Sequence, residues 1–147
     1  MSRGLAVLLA VAAGGFVGMQ APINARLGRQ IGSLQAATVS FLVGTAALLL
    51  IAGISSGGLG GIAHAPRAPW WALIGGLLGA FFVVVALLTV RTLGASGLTA
   101  IVVAGQLAVA VAIDRFGLFG IAKQHIAAPR AIGLVLLLVG VVLVVRK

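Results

Sequence analysis

Few side chains in this sequence could do chemistry, and most of those are amides. Asp114 is the only acidic residue, set against ten lysines and arginines. Gln106 stands in the apolar run that leads to Asp114, and Gln20 and Asn24 are four residues apart, so they share one face of a helix. An amide both donates and accepts hydrogen bonds. These three amides are therefore the first candidates for contact with a passing solute.

The sequence lacks the residues that other kinds of functional site require. The chain has no cysteine, and its two histidines, His64 and His125, fall in predicted loops rather than at ligand spacing. We find no nucleophile paired with a base and no pair of carboxylates. The basic residues form no stripe interleaved with aromatics, which argues against nucleic acid. We therefore expect no enzyme, no metal, no cofactor and no nucleic-acid partner, and take lipid as the main partner.

The elements that must position the amides are membrane-spanning helices. The chain is 62% hydrophobic and 7% charged, with a mean hydropathy of +1.29, which indicates an integral membrane protein. A helix needs about 20 apolar residues to cross the bilayer. The first apolar run is followed by four others, so we interpret it as a span rather than a cleaved signal. We predict an all-α protein forming one domain over residues 1–147, with spans at about 5–25, 34–54, 70–90, 95–113 and 129–145.

Two further patterns suggest how such spans are held. Trp70 and Trp71 begin the third span, where tryptophan favours the membrane interface. Small residues let helices approach closely in lipid, and two glycine pairs at a spacing of four are candidates for this role. These pairs are Gly14 with Gly18, and Gly75 with Gly79.

The charges do not favour either orientation in the membrane. Five spans place five basic residues on each side, and the richer side normally sets the orientation. The N-terminal side holds Arg3, Arg67, Arg115, Lys123 and Arg130, and the other side holds Arg26, Arg29, Arg91, Arg146 and Lys147. A chain without bias can insert both ways, and two opposite copies form an inverted repeat of the kind many transporters use. We predict an antiparallel homodimer; the alternative is that the tie arises by chance, or that lipids and partners orient the chain.

The amides allow two interpretations each. Pro22 lies between Gln20 and Asn24 and would weaken the helix there, as in the interrupted helices that line polar sites. Alternatively, both amides mark the helix end. Gln106 is mid-span and needs a partner, either a neighbouring helix or a wet cavity. We interpret Ser40 and the span threonines as structural, since hydroxyls can bond back to their own helix.

Asp114 is predicted to lie at the membrane boundary, because it follows Gln106 by about 12 Å along a helix axis. We expect it to fix a helix end by pairing with Arg115, Arg91 or another basic residue; the alternative is a gate at the mouth of a pathway. The spans hold no Asp, Glu or His near their middle. This argues against a carrier that exchanges protons for organic cations.

Three stretches resemble the YdcZ-like family of small bacterial inner-membrane proteins, a branch of the drug/metabolite transporter superfamily. They are "MQAPINARLG" (19–28), "WWALIGGLLGAFFVV" (70–84) and "GQLAVAVAIDRFG" (105–117). The resemblance implies five helices that equal half of a ten-helix transporter, with members occurring as dual-topology genes, opposite pairs or fusions. It supplies no substrate. The positions that match are Gln20, Asn24, Trp71, Gly75, Gly76, Gly79, Gln106, Asp114 and Gly117.

Three functions fit these observations. The first is a dimeric inner-membrane transporter of a small neutral or anionic solute, with Gln20, Asn24 and Gln106 along the pathway. The second is a passive pore for an ion or small solute, and the third is an accessory membrane subunit without transport. The amide-lined spans suit the first two about equally well, while the missing mid-span acid weakens the case for proton coupling.

Overall fold

The structure, a computed structural model, describes residues 1–55, 57–125 and 127–146, and it is helical with no strand in those ranges. Four α-helices follow in order: α1 (Arg3–Ile31), α2 (Ser33–Ile54), α3 (Gly75–Phe116) and α4 (Ala128–Val145). All four are long and apolar enough to cross a membrane. The all-α membrane class is therefore confirmed. The chain divides into two compact units, Met1–Arg91 and a second beginning at Thr92; Lys147, counted above among the basic residues, lies outside the described residues.

Helix α1 is longer and more regular than predicted. Ser2 caps it, with Leu5 N–H donating to Ser2 Oγ at 3.3 Å. We expected Pro22 to weaken the helix, but α1 continues through it. A single missing backbone hydrogen bond is tolerated where the rest of a long membrane helix remains intact. The predicted spans leave residues 26–33 as a connection, but the helix runs to Ile31, so Arg26 and Arg29 lie in its last turns.

A single residue joins α1 to α2. Gly32 has φ 92° and ψ 151°, a conformation that residues with a side chain rarely adopt, and its N–H donates to Gly28 O at 3.0 Å. So short a connection makes α1 and α2 antiparallel neighbours. Close approach continues beside the turn: a Cβ on Gly28 would lie 3.6 Å from Leu87 Cδ2 and 3.7 Å from Ala36 Cβ.

Helix α3 contains two of the predicted spans. Its 42 residues, counted along the chain, hold about 63 Å of helix, enough for two crossings of the hydrocarbon core. Gly94, with φ 71° and ψ 167°, interrupts it, and each part is about 20 residues long. The connection that the predicted spans leave at residues 91–94 is thus reduced to one break at Gly94, and the five predicted spans correspond to five helical segments. The predicted third span began too early, because Trp70–Leu73 is a 3₁₀ turn and the α-helix starts at Gly75.

The first unit has a small core where α2 and α3 meet. Ala36, Ala37, Val83 and Leu87 are buried there, and Leu27, Phe82 and Val84 pack around them. Toward the N-terminus of α1 the apolar side chains are exposed, as expected for helices that face lipid or another chain. The core therefore fixes the α1–α2 turn and the last turns before Arg91 rather than the whole length of the helices.

In the second unit, residues 95–116 of α3 and helix α4 line an apolar gap of about 150 Å³, formed by Ala104, Leu107, Ala108, Val111, Leu134, Leu137 and Leu138. Gly117 ends α3 in the left-handed conformation (φ 67°, ψ 40°), and its N–H donates to Ile113 O at 2.8 Å. Helix α4 then begins with Pro129 in its first turn, a position where proline is favoured.

Candidate functional site

The structure brings Gln20 and Asn24 together at one cavity of the first unit. The cavity lies between α1 and α3, and its lining includes Val17, Gln20, Ala21, Asn24, Phe82, Val83, Ala86 and Leu87. Its volume is about 10 Å³, which admits about one water molecule. The helix carries both amides to the same wall because they are one turn apart. The apolar wall opposite comes from α3.

Asn24 is the most constrained polar residue of this cavity. It is only 7% exposed, and among the described residues it is the one buried polar side chain. Its Nδ2 donates to Ser40 Oγ at 3.1 Å. The described residues give Asn24 Oδ1 no hydrogen-bond partner, so this acceptor is available to a water or a solute in the cavity. Asn24 Oδ1 is accessible rather than sealed inside the protein, because the described residues hold no buried side-chain nitrogen or oxygen without a hydrogen-bond partner.

Ser40 supports this site by accepting the Asn24 hydrogen bond, but it is not among the residues that line the cavity. The residue bonds across to α1 rather than back to its own helix, unlike Thr38, whose Oγ1 donates to Leu34 O at 3.0 Å. Local sequence carries no signal for the difference. It depends on how α2 folds back at Gly32, which sets the residues that face Asn24.

Gln106 is placed differently. It lies in the second unit, on the part of α3 that follows Gly94, and it is not among the residues that line the amide cavity. Its side chain is exposed. Helical spacing puts it on the face of α3 opposite Ala104, Ala108 and Val111, which face α4 across the apolar gap. An exposed mid-helix amide in hydrocarbon lacks the partners that water would supply.

Asp114 pairs with Arg130, one of the other basic residues that our prediction left open. Arg130 Nη2 bonds Asp114 Oδ2, and Arg130 Nη1 donates to Gln124 Oε1 at 3.2 Å. The Asp114 side chain is 19% exposed and that of Arg130 is 35% exposed. The specific partners we named first, Arg115 and Arg91, are not the ones the structure selects. The ion pair joins the last turn of α3 to the first turn of α4.

Arg91 also makes a contact at a helix end. It stands three residues before the Gly94 break, and its Nη2 donates to Ala25 O of α1 at 3.4 Å. Ala25 is buried while the Arg91 side chain is exposed. The contact holds the arginine beside the last two turns of α1, at the end of the first unit where the α1–α2 turn lies.

The predicted anchors and packing glycines have mixed surroundings within the chain. Trp70 is 76% exposed and Trp71 is 42% exposed, on the turn that leads into α3. A Cβ on Gly79 would lie 3.6 Å from Phe41 Cζ, so this glycine meets another helix. Gly14, Gly18 and Gly75 have no such neighbour within 4 Å. Any helix that packs closely on these three glycines therefore lies outside the contacts that the described chain makes.

The fold and the cavity define a class of protein, a multi-pass helical membrane protein with an amide-lined cavity between two of its helices. The chain belongs to the family described as "Putative inner membrane exporter, YdcZ", whose model matches residues 5–143. It is 31% identical over 150 residues to "Inner membrane protein YdcZ" of Escherichia coli (strain K12), an alignment that covers 100% of this chain and 99% of that protein. No solved structure is significantly similar. The chain is thus an inner-membrane protein, and the export that the family description names is not a class of enzyme activity.

Proposed function

We propose that this protein is a small-solute transporter that works as an inverted dimer, with Gln20, Asn24 and Gln106 along its pathway and a neutral or anionic substrate. The observation that carries the proposal is Asn24: a buried amide in a spanning helix that lines a cavity with one acceptor unused. Family membership supports export as the activity. The pathway opens only when the α1–α3 wall moves, because the cavity now admits about one water.

The substrate class follows from what surrounds the cavity. Its lining contains two amides and no ionisable side chain. The only acidic side chain, that of Asp114, is bound to Arg130 in the second unit. A cationic substrate would need a negative partner inside the membrane, and none is available to it. Amides and nearby arginines suit a neutral or anionic solute.

Two observations support the inverted dimer. The five-to-five distribution of basic residues removes any bias in orientation. In addition, Gln106 is exposed at mid-helix, where a bare amide is unfavourable in lipid. A second copy of the chain offers Gln106 a polar partner or a water-filled interface. Inverted copies place substrate sites near the bilayer midplane, where the repeats meet.

Proteoliposomes test the function directly. Vesicles loaded with a pool of small organic acids, sugars and neutral amides are mixed with buffer, and the solutes released are measured by mass spectrometry, with and without a pH gradient. We expect at least one solute to leave faster than from empty vesicles. Asn24→Leu and Gln106→Leu should each slow its release by about tenfold or more, since each removes a hydrogen bond to the solute.

Thr38→Val is the matched control, because the Thr38 hydroxyl bonds only to its own helix. It should release the same solute at the wild-type rate. Normal release by both leucine variants would contradict the pathway assigned here. Rapid, unselective release of the whole pool and of chloride would show a passive pore instead of a transporter. No release of any solute, from protein shown to be folded and dimeric, would favour the accessory subunit.

A further inference from the structure

The first unit gathers arginines for which the chain has no acidic side chain to spare. Arg26 and Arg29 lie in the last turns of α1, and Arg91 bonds Ala25 O of the same turns. All three are exposed. We call Arg26, Arg29 and Arg91 the arginine end. Because Asp114 is the only acidic side chain and is bound to Arg130, no side chain of the same molecule is left to supply a counter-charge at the arginine end.

An apolar groove runs down from this end. It lies between α2 and α3, has a volume of about 330 Å³, and is lined by residues that include Leu34, Phe41, Leu42, Thr45, Ala80 and Val84. Leu34 is in the first turn of α2, directly after the α1–α2 turn, so this end of the groove lies at the arginine end. From Leu34 to Thr45 the groove is about 16 Å long, about half the hydrocarbon thickness.

Helical spacing places Arg91 above the groove. Ala80, Val84 and Arg91 are separated by four and then seven residues, so all three lie on one face of α3. The first two line the groove, and Arg91 is about 10 Å beyond Val84 along the axis. Leu88, on the same face between them, is 58% exposed. The groove is about one leaflet long and apolar, which suits an acyl chain, and the cation at its end suits a phosphate headgroup.

We propose that the α2–α3 groove binds one acyl chain of an anionic phospholipid whose phosphate lies at the arginine end. Basic pockets between helices are known settings for anionic headgroups. Charge complementarity favours this occupant over a second copy of the chain, since each copy adds its own excess of arginine and only one, already paired, carboxylate. The lipid would stabilise the α1–α2–α3 packing from its open side, independently of any transported solute.

The experiment measures lipid binding to the purified full chain in dodecyl maltoside. Dioleoyl phosphatidylglycerol, dioleoyl phosphatidylcholine and inorganic phosphate are added in separate arms, and native mass spectrometry counts bound molecules while a thermal melt records the Tm. We expect one tightly held phosphatidylglycerol and a higher Tm in that arm alone. Arg91→Gln should weaken its binding about fivefold, with Arg91→Lys retaining most of it. Arg67→Gln, at an exposed arginine of the 3₁₀ segment Gly60–Arg67, should bind as wild type does.

The groove is tested separately, so the proposal stays testable if the arginine variants fail to fold. Leu42→Trp fills the groove, whereas Leu50→Trp adds the same bulk at an exposed residue of α2 outside it. We expect the first to lose the bound lipid and the second to keep it. Equal binding of phosphatidylcholine would overturn the role of charge. Equal protection by phosphate, with no effect of Leu42→Trp, would show a free-anion site only; a dimer lost on Leu42→Trp would show that a second chain fills the groove.

Discussion

At the scale of single residues, the Asp114–Arg130 pair holds each charge at the less favourable end of its helix. Asp114 lies in the last turn of α3, near the negative end of the helix dipole, and Arg130 lies in the first turn of α4, near a positive end. Each residue therefore offsets an unfavourable interaction of the other. This accounts for a lone carboxylate in so basic a chain: it joins two helices, and among the described residues it forms the one salt bridge.

The charge reversal Asp114→Arg/Arg130→Asp tests this account. Asp114→Asn alone should lower the free energy of unfolding by about 1 kcal/mol or less, because the pair is partly exposed. The double variant should be at least as stable as wild type, since it keeps the pair and places both charges favourably toward the helix dipoles. Thermal melts in one detergent measure all three proteins.

The double variant should not change the orientation of the chain in the membrane, because both residues lie on the same predicted side and that side keeps five basic residues. A double variant less stable than Asp114→Asn would contradict the dipole argument.

We also expect Asp114→Asn to leave the shape of the flux-versus-pH profile between about 5 and 8 unchanged, since Asp114 does not line the amide cavity. A profile flattened by Asp114→Asn would make Asp114 a coupling residue.

At the scale of elements, one glycine divides α3 into two helical segments. Gly94 has φ 71° and ψ 167°, a region that only glycine occupies readily. The break separates two stretches that are each long enough to span the membrane. It also coincides closely with the boundary between the two compact units at Arg91 and Thr92. A residue with a side chain at this position would force the backbone toward another conformation.

Gly94→Ala should therefore destabilise the protein by about 1–3 kcal/mol, the usual cost of holding an alanine in such a conformation. Nothing lies within 4 Å of a Cβ built on Gly94, so the expected cost is in the backbone and not in packing. Gly105→Ala is the matched control: it is in the regular part of α3, also with open space around its Cβ. There alanine should be neutral or stabilising by up to about 1 kcal/mol. Denaturant titrations measure both, and equal effects would contradict the assignment.

At the scale of the whole molecule, much of the apolar surface has no cover within the chain. No residue of α4 is buried. None is buried in the 18-residue apolar stretch of α1 either. Lipid can cover such surfaces, but Gln106 and the open glycines Gly14 and Gly18 favour a second protein surface. With the charge tie, these features lead to the inverted dimer proposed above.

Added lysines test the dual orientation. Gln30→Lys/Gln35→Lys charges the α1–α2 turn, and Ala63→Lys/His64→Lys charges the segment before α3; all four positions are exposed. Each pair should drive one orientation, in opposite senses. Reporter fusions at the C-terminus measure the orientation, and proteoliposomes measure flux. We expect each variant to be inactive alone and active when the two are co-expressed; full activity of either alone would contradict the inverted dimer.

The amino-acid sequence by itself determined the class of this protein. Apolar runs of about 20 residues predict membrane helices whatever packs around them, because hydrocarbon forces the backbone to bond within each helix. The five segments and the family resemblance were accordingly found from residue order alone. Polar residues at mid-span, such as Gln20 and Asn24, stand out for the same reason: each is costly in an apolar setting.

Only the tertiary structure decided which of these residues meet. The Asn24–Ser40 bond depends on the fold-back at Gly32, and Arg130 became the partner of Asp114 through the turn that begins at Gly117. Pro22 was misjudged because the cost of one missing hydrogen bond is set by the surrounding helix. The α2–α3 groove likewise could not be predicted from the sequence, since its walls come from two helices. Spacing along one helix fixes a face, but the neighbour opposite that face is set by packing.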